Sequence, residues 1–192
     1  MIKAIIWDWN GVLAQKDVPV ATKIFAEKYG FDPLEIRRAL LSEKETMETS
    51  PDFGDYFDKI NKFGISKEET REALAKATTT EVFDFAKSLN GKGIKQYLLS
   101  DQLRFRSDWW RKNCDLSFFD GIFFSNEIGF VKPNKEAYEF VLKDINLKPE
   151  ECIFIDDKNC NLEPAKKLGF KTVLFINLEN LKKELVQFSI KI

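Results

Sequence analysis

The chain has 192 residues, enough for one substantial core or for a core with a small accessory lobe. Its 30 basic and 31 acidic side chains leave a formal charge of -1, which creates no field to draw it onto nucleic acid or an anionic membrane surface. It contains no histidine, so Ser-His-Asp and Cys-His hydrolases and His-ligated zinc centres are excluded; proton transfer near neutral pH falls to carboxylates, lysine, tyrosine, cysteine or water.

The first apolar run, Ile2 to Trp7, is of strand length and turns acidic at Asp8, too early for the core of a signal peptide. Residues 15–86 then read mostly as helix. Val20, Ala21, Ile24 and Phe25 share one face, and Phe53, Tyr56, Phe57, Ile60 and Phe63 recur at helical spacing. Ser66 and Glu69 stand at capping-box spacing, while Gly30, Pro33, Ser50-Pro51 and Gly64 punctuate the segment. Further apolar runs follow at Tyr97 to Leu99, Ile122 to Phe124, Ile153 to Ile155 and Thr172 to Ile176. Between them lie helical patterns, one marked by Ala137, Tyr138, Val141 and Leu142, another by Leu162, Ala165 and Leu168 and closed by Gly169. Leu178, Leu181, Leu185 and Phe188 mark a last helix.

Strands that are apolar on both faces and alternate with helices imply an α/β, doubly wound parallel sheet, a Rossmann-like core of about five strands. The expected division is a core of 1–14 plus 87–192 and a small α-helical cap at 15–86, inserted after the first strand and hinged near Ala14 to Lys16 and Ala86 to Asn90. No apolar run approaches the ~20 residues that cross a bilayer. Three unevenly spaced cysteines fit reduced thiols in a cytoplasmic protein, with Cys152 and Cys160 filling core space. Trp109-Trp110 reads as packing; the arginines Arg37, Arg38, Arg104 and Arg106 could meet an anionic substrate but read more readily as solvated.

Ligands of such sheets bind at the carboxyl ends of the strands, so the residues after each apolar run are the candidates. They are Asp8, Ser100-Asp101 and Asp156-Asp157, with Lys132 opening the helix before the fourth run. Each alone has a plain structural reading as a helix cap, a turn former or a loop cation. Together they place three acids, a hydroxyl and a lysine on one rim, where the carboxylates repel unless a cation balances them. Mg²⁺ suits that role, since two carboxylates, a carbonyl and waters satisfy it. Asp8 could then attack phosphorus, with Lys132 and Ser100 steadying the phosphoryl oxygens.

The run Ile5-Ile6-Trp7-Asp8-Trp9-Asn10-Gly11-Val12-Leu13 resembles the first motif of the haloacid-dehalogenase superfamily. Leu98-Leu99-Ser100, Gly129-Phe130-Val131-Lys132-Pro133 and Phe154-Ile155-Asp156-Asp157 with Asn161 resemble the second, third and fourth, and the pattern is similar to that of its small capped phosphatases. The resemblance implies hydrolysis of a small phosphorylated metabolite by Asp8, Asn10 and Lys132. It implies Mg²⁺ on Asp8, the Asn10 carbonyl and Asp157, supported by Asp156, and phosphate on Trp9, Asn10, Ser100, Asp101 and Lys132. Members that dehalogenate without metal lack the paired aspartates, so Asp156-Asp157 favours phosphate chemistry.

One position departs from the pattern. The family's phosphatases carry an aspartate where this chain has Asn10, and there it protonates the leaving oxygen and activates water. An amide cannot exchange that proton, a loss that typically costs about 10²–10⁴-fold. The sequence leaves open a slow or leaving-group-selective phosphatase, a non-catalytic binder of phosphate and Mg²⁺, and a replaced aspartate.

Overall fold

The computed structural model describes residues 1–41 and 58–192; Ser50-Pro51 and the aromatic positions Phe53, Tyr56 and Phe57 lie outside them. Five strands form one sheet: β1 (Ala4–Trp7), β2 (Lys95–Ser100), β3 (Gly121–Phe124), β4 (Cys152–Asp156) and β5 (Lys171–Leu174). Their order is β3-β2-β1-β4-β5, and every pair is parallel. The order reverses beside β1, which puts Asp8 at the switch point where such sheets hold ligands.

Side chains alternate across each strand, so β1 feeds two cores. Ile5 and Trp7 join Leu98, Ile153, Ile155 and Val173 in one buried cluster, while Ala4 and Ile6 join Leu99, Phe123, Cys152 and Phe154 in another. On the first face lie α5 (Glu81–Ser88), α6 (Arg104–Asn113) and α10 (Leu178–Gln187), through Val82, Phe83, Trp110, Leu181 and Leu185. On the second lie α8 (Lys135–Ile145) and α9 (Asn159–Leu168), through Tyr138, Val141, Leu162 and Ala165; the short α7 (Ser125–Ile128) follows β3. Gly169 ends α9 in the left-handed conformation (φ 105°), the geometry that lets a helix stop and turn back to the sheet.

The segment after β1 builds a third core. Among the described residues it contains α1 (Asp17–Tyr29), α2 (Pro33–Leu41), α3 (Asp58–Asn61) and α4 (Lys67–Leu74). Val18, Ala21 and Phe25 pack with Ile36, Leu40, Ile60, Ala73 and Leu74, and Leu103 from the sheet domain completes the cluster. Helix α4 starts with the expected capping box: the Glu69 amide donates to Ser66 Oγ (3.2 Å) and the Ser66 amide donates back to Glu69 Oε2 (3.1 Å).

Two details depart from the sequence reading. Arg106 is not solvated: it is 1% exposed, its guanidinium 4.5 Å above the Trp110 ring and its Nε 3.6 Å from Asp17 on α1. Cys160 is not core filling, because α9 turns it outward, whereas Cys152 is buried as expected. Trp109 and Trp110 do pack, Trp110 against Trp9 at 4.8 Å between ring centroids.

Candidate active site

The carboxyl ends of β1 and β4 and the loop before α8 converge on a cavity of about 370 Å³, lined by Asp8, Asn10, Asp101, Lys132, Lys158 and Asn161 among others. Lys132 Nζ reaches Asp8 Oδ1 at 2.6 Å and Asp156 Oδ2 at 2.9 Å, and all three side chains are almost wholly buried. Asp156 is saturated: Oδ2 also accepts from Asn161 Nδ2 (2.9 Å) and Oδ1 from the Lys158 amide (2.8 Å). Asp101 fixes the lysine's backbone, its Oδ1 accepting the Lys132 amide at 3.0 Å.

Asp157 is the opposite case. One of its oxygens contacts Lys16, while the other, Oδ1, is buried and accepts no hydrogen bond among the described residues; nor does the buried Asn10 Oδ1. Oxygens of Asp8, Asp156 and Asp157 lie within 4.8 Å of one another. Buried oxygens without donors are costly unless something else supplies positive charge. A hard divalent cation fits both the oxygen-only donor set and the orphaned atoms.

The loop after β1 is shaped to permit this. The Gly11 amide donates to the Ala14 carbonyl (2.6 Å) and the Ala14 amide to the Trp9 carbonyl (2.8 Å), which curls the chain beneath Asp157. Gly11 holds φ 99°, and a Cβ there would stand 2.8 Å from Asp157 Oδ2, so both conformation and space require glycine.

Charge in the cavity is unbalanced. Burial pushes the Asp8 carboxyl up to about 7; Lys132 pulls it back and Asp156 raises it further. Burial works against the Lys132 ammonium, yet Asp156, Asp8 and Asp101 hold it well above its ordinary value. The lysine therefore stays charged.

The structure brings Asp8, Asn10, Asp101, Lys132, Asp156 and Asp157 together as the sequence led one to expect, though Asp101 turns its carboxylate to the Lys132 loop. Ser100 ends β2 fully buried, its Oγ accepting from Gln102 Nε2 at 3.0 Å rather than lining the cavity. The Trp9 side chain is buried against Phe83 and Trp110, which leaves only its backbone for a ligand. In the sequence Asn161 is named within the fourth motif but without a role, and neither Lys158 nor Lys16 is singled out as a site residue. Asn161 had a signal, since it falls in the first turn of the helix after the paired aspartates and so faces back to them.

The chain is similar to several known proteins. The family model of haloacid dehalogenase-like hydrolases matches residues 2–169. A D-ribitol-5-phosphate phosphatase of Bacteroides thetaiotaomicron is 28% identical over 90% of this chain and 91% of its own. Bifunctional epoxide hydrolase 2 of the rat is 30% identical over 64% of this chain, which spans only 23% of that longer protein. Among solved structures, a haloacid dehalogenase-like hydrolase of Porphyromonas gingivalis superposes with a TM-score of 0.75 over the whole of both chains at 24% identity. An aspartate-to-alanine variant of a B. thetaiotaomicron family enzyme, solved with magnesium and inorganic phosphate, also gives 0.75 over 94% of this chain and 99% of its own, at 23% identity. These likenesses establish the fold, and with the matched family model they lead to one statement: the chain belongs to the haloacid dehalogenase-like hydrolases.

Proposed function

We propose that this hydrolase is a Mg²⁺-dependent phosphatase that opens a small phosphate monoester through an aspartyl phosphate on Asp8. The observation that carries the reading is the pairing of a buried Asp8–Lys132 contact at 2.6 Å with an unsatisfied Asp157 oxygen in the same cluster. Asp8, Asp157 and the Asn10 carbonyl would hold the ion, with Asp156 behind them. Bound Mg²⁺ supplies charge neutralisation at the phosphoryl oxygens. A metal-free dehalogenase would have no use for the open Asp157 oxygen.

The chain's own residues divide the work as follows. Lys132 holds one Asp8 oxygen and steadies the phosphoryl group, and Asp156, fixed by Asn161 and the Lys158 amide, holds Lys132. Backbone amides at Trp9, Asn10 and Asp101 would complete the phosphate cradle, which the buried Ser100 hydroxyl, held by Gln102, does not reach. An Asp8 oxygen forms the new bond to phosphorus as the bond to the leaving oxygen breaks. Water then attacks phosphorus, inorganic phosphate departs, and the Asp8 carboxylate is restored. Residues 15–80 act as the lid. Its two connections are tied together, the Gln15 amide donating to the Thr78 carbonyl (2.9 Å) and the Thr80 amide to the Leu13 carbonyl (2.8 Å). Helix α5 stays with the sheet, through Val82, Phe83 and Ala86.

Asn10 limits both halves. It can hydrogen-bond the leaving oxygen but cannot protonate it, and it cannot deprotonate the attacking water. Turnover is therefore selective for leaving groups stable as anions, such as phenolates and carboxylates. Asn10→Asp should speed hydrolysis of an alkyl phosphate by roughly 10²-fold or more and aryl phosphate far less. Steady-state assays of both proteins on glycerol 3-phosphate and para-nitrophenyl phosphate, with Mg²⁺ and with chelator, decide it. An unchanged rate on both esters would contradict the reading and leave a phosphate-binding role.

A further inference from the structure

Beside the catalytic cavity opens a smaller recess of about 130 Å³, and the two share Asn10, Leu41 and Lys158 as lining. We infer that this recess receives a second anionic group of the substrate, so that the physiological ester carries a carboxylate or another phosphate beyond the one removed. The inference rests on the phosphatase reading and deepens it.

Three cations from three different elements face the recess: Lys16 at the hinge, Arg37 on α2 and Lys158 ahead of α9. The acidic residue among its lining, Asp17, is already neutralised, with Oδ1 accepting the Val18 amide at 2.8 Å and Oδ2 facing Arg106. Lys16 contacts Asp157, but among the described residues neither the Arg37 nor the Lys158 side chain meets a carboxylate. Exposed cations are ordinary by themselves. Their placement is what matters here. Asn10 stands where the leaving oxygen is met, and it lies on the wall that joins the two spaces. An ester whose phosphate sits on Lys132 thus projects its organic part past Asn10 and Leu41, toward Arg37 and Lys158. The Arg37 fork can grip a carboxylate or phosphate through two hydrogen bonds, and Lys158, which lines the same recess, adds a point charge.

The slow turnover that Asn10 imposes on alkyl phosphates makes equilibrium binding measurable. Calorimetry on the Mg²⁺-loaded protein should compare 3-phosphoglycerate with glycerol 3-phosphate, which differ by a carboxylate against a hydroxymethyl. It should also compare fructose 1,6-bisphosphate with fructose 6-phosphate, which places the second anion at another reach. The expected result is about tenfold tighter binding of the doubly anionic member in at least one pair. Arg37→Gln and Lys158→Gln should each shrink that ratio about threefold. Inorganic phosphate is the reference. If it binds while neither pair is discriminated, or if the double variant keeps the full ratio, the recess is not an anion site and the phosphatase reading stands. If inorganic phosphate does not bind with Mg²⁺ at all, both fail together.

Discussion

Burial raises the Asp8 carboxyl to about 7, against the pull of the Lys132 ammonium it shares with Asp156, so it favours its protonated form until about pH 7. A folded-state value raised above the unfolded 3.8 contributes stability that is full below about pH 4 and is lost as pH rises through about 7. Metal-free protein should therefore unfold at progressively lower urea as pH rises from about 4 to 7 and level off above, and Asp8→Asn should flatten that slope. An equal slope in the variant would place the titrating group elsewhere. Lys16 gives a second test at this scale, because it occupies the Asp157 carboxylate that the ion would use. Being about half exposed, the contact is a weak competitor, so Lys16→Met should raise Mg²⁺ affinity roughly threefold to fivefold by calorimetry. No gain would mean that Lys16 leaves Asp157 without cost.

Between elements, the seam joining α1 to α6 rests on an unusual pair. Arg106 and Asp17 are both buried, and among the described residues no nitrogen of the guanidinium makes a well-formed hydrogen bond. Burial lowers the guanidinium's own pKa, with Asp17 opposing that shift. Removing one partner strands the other, whereas removing both relieves two desolvated charges. Arg106→Met should thus cost about 3 kcal/mol, and Arg106→Met with Asp17→Asn should recover most of it, as read from urea midpoints. A double variant no more stable than Arg106→Met would show the pair to be dispensable. This seam was not legible in the sequence: an arginine in a polar helix of mixed pattern reads as solvated unless the distant α1 partner is known. The strand ends were legible, because apolar runs that stop at Asp8, Ser100 and Asp156 announce one rim whatever the helices between them do. The orientation of Ser100 was not, since its Oγ is set by Gln102, a contact that no spacing rule encodes. The expected second connection lies near Ala86, and α5 shares the apolar periodicity of the helices before it; the proposed lid ends near Thr80 instead. Only the pairing of Ala14 with Thr79 reveals where the chain returns to the core.

For the molecule as a whole, the sheet and the loop after β1 serve one geometric end, a buried Asp8 carboxylate facing a lysine and an acidic pair. Closure of residues 15–80 over the rim would exclude water, strengthening each charge interaction inside. The roles proposed for Asn10, the recess and the ion all require that Asp8 itself takes the phosphoryl group. Rapid mixing of the protein with acetyl phosphate and Mg²⁺, acid quenching and peptide mass spectrometry test that presumption directly. The account predicts a phosphoryl adduct on the peptide containing Asp8. It should accumulate because Asn10 cannot activate water, be absent with chelator or in Asp8→Asn, and be cleared faster in Asn10→Asp. Donor consumption that depends on Mg²⁺ yet leaves no adduct on Asp8 at any mixing time, or an adduct that persists in Asp8→Asn, would contradict it.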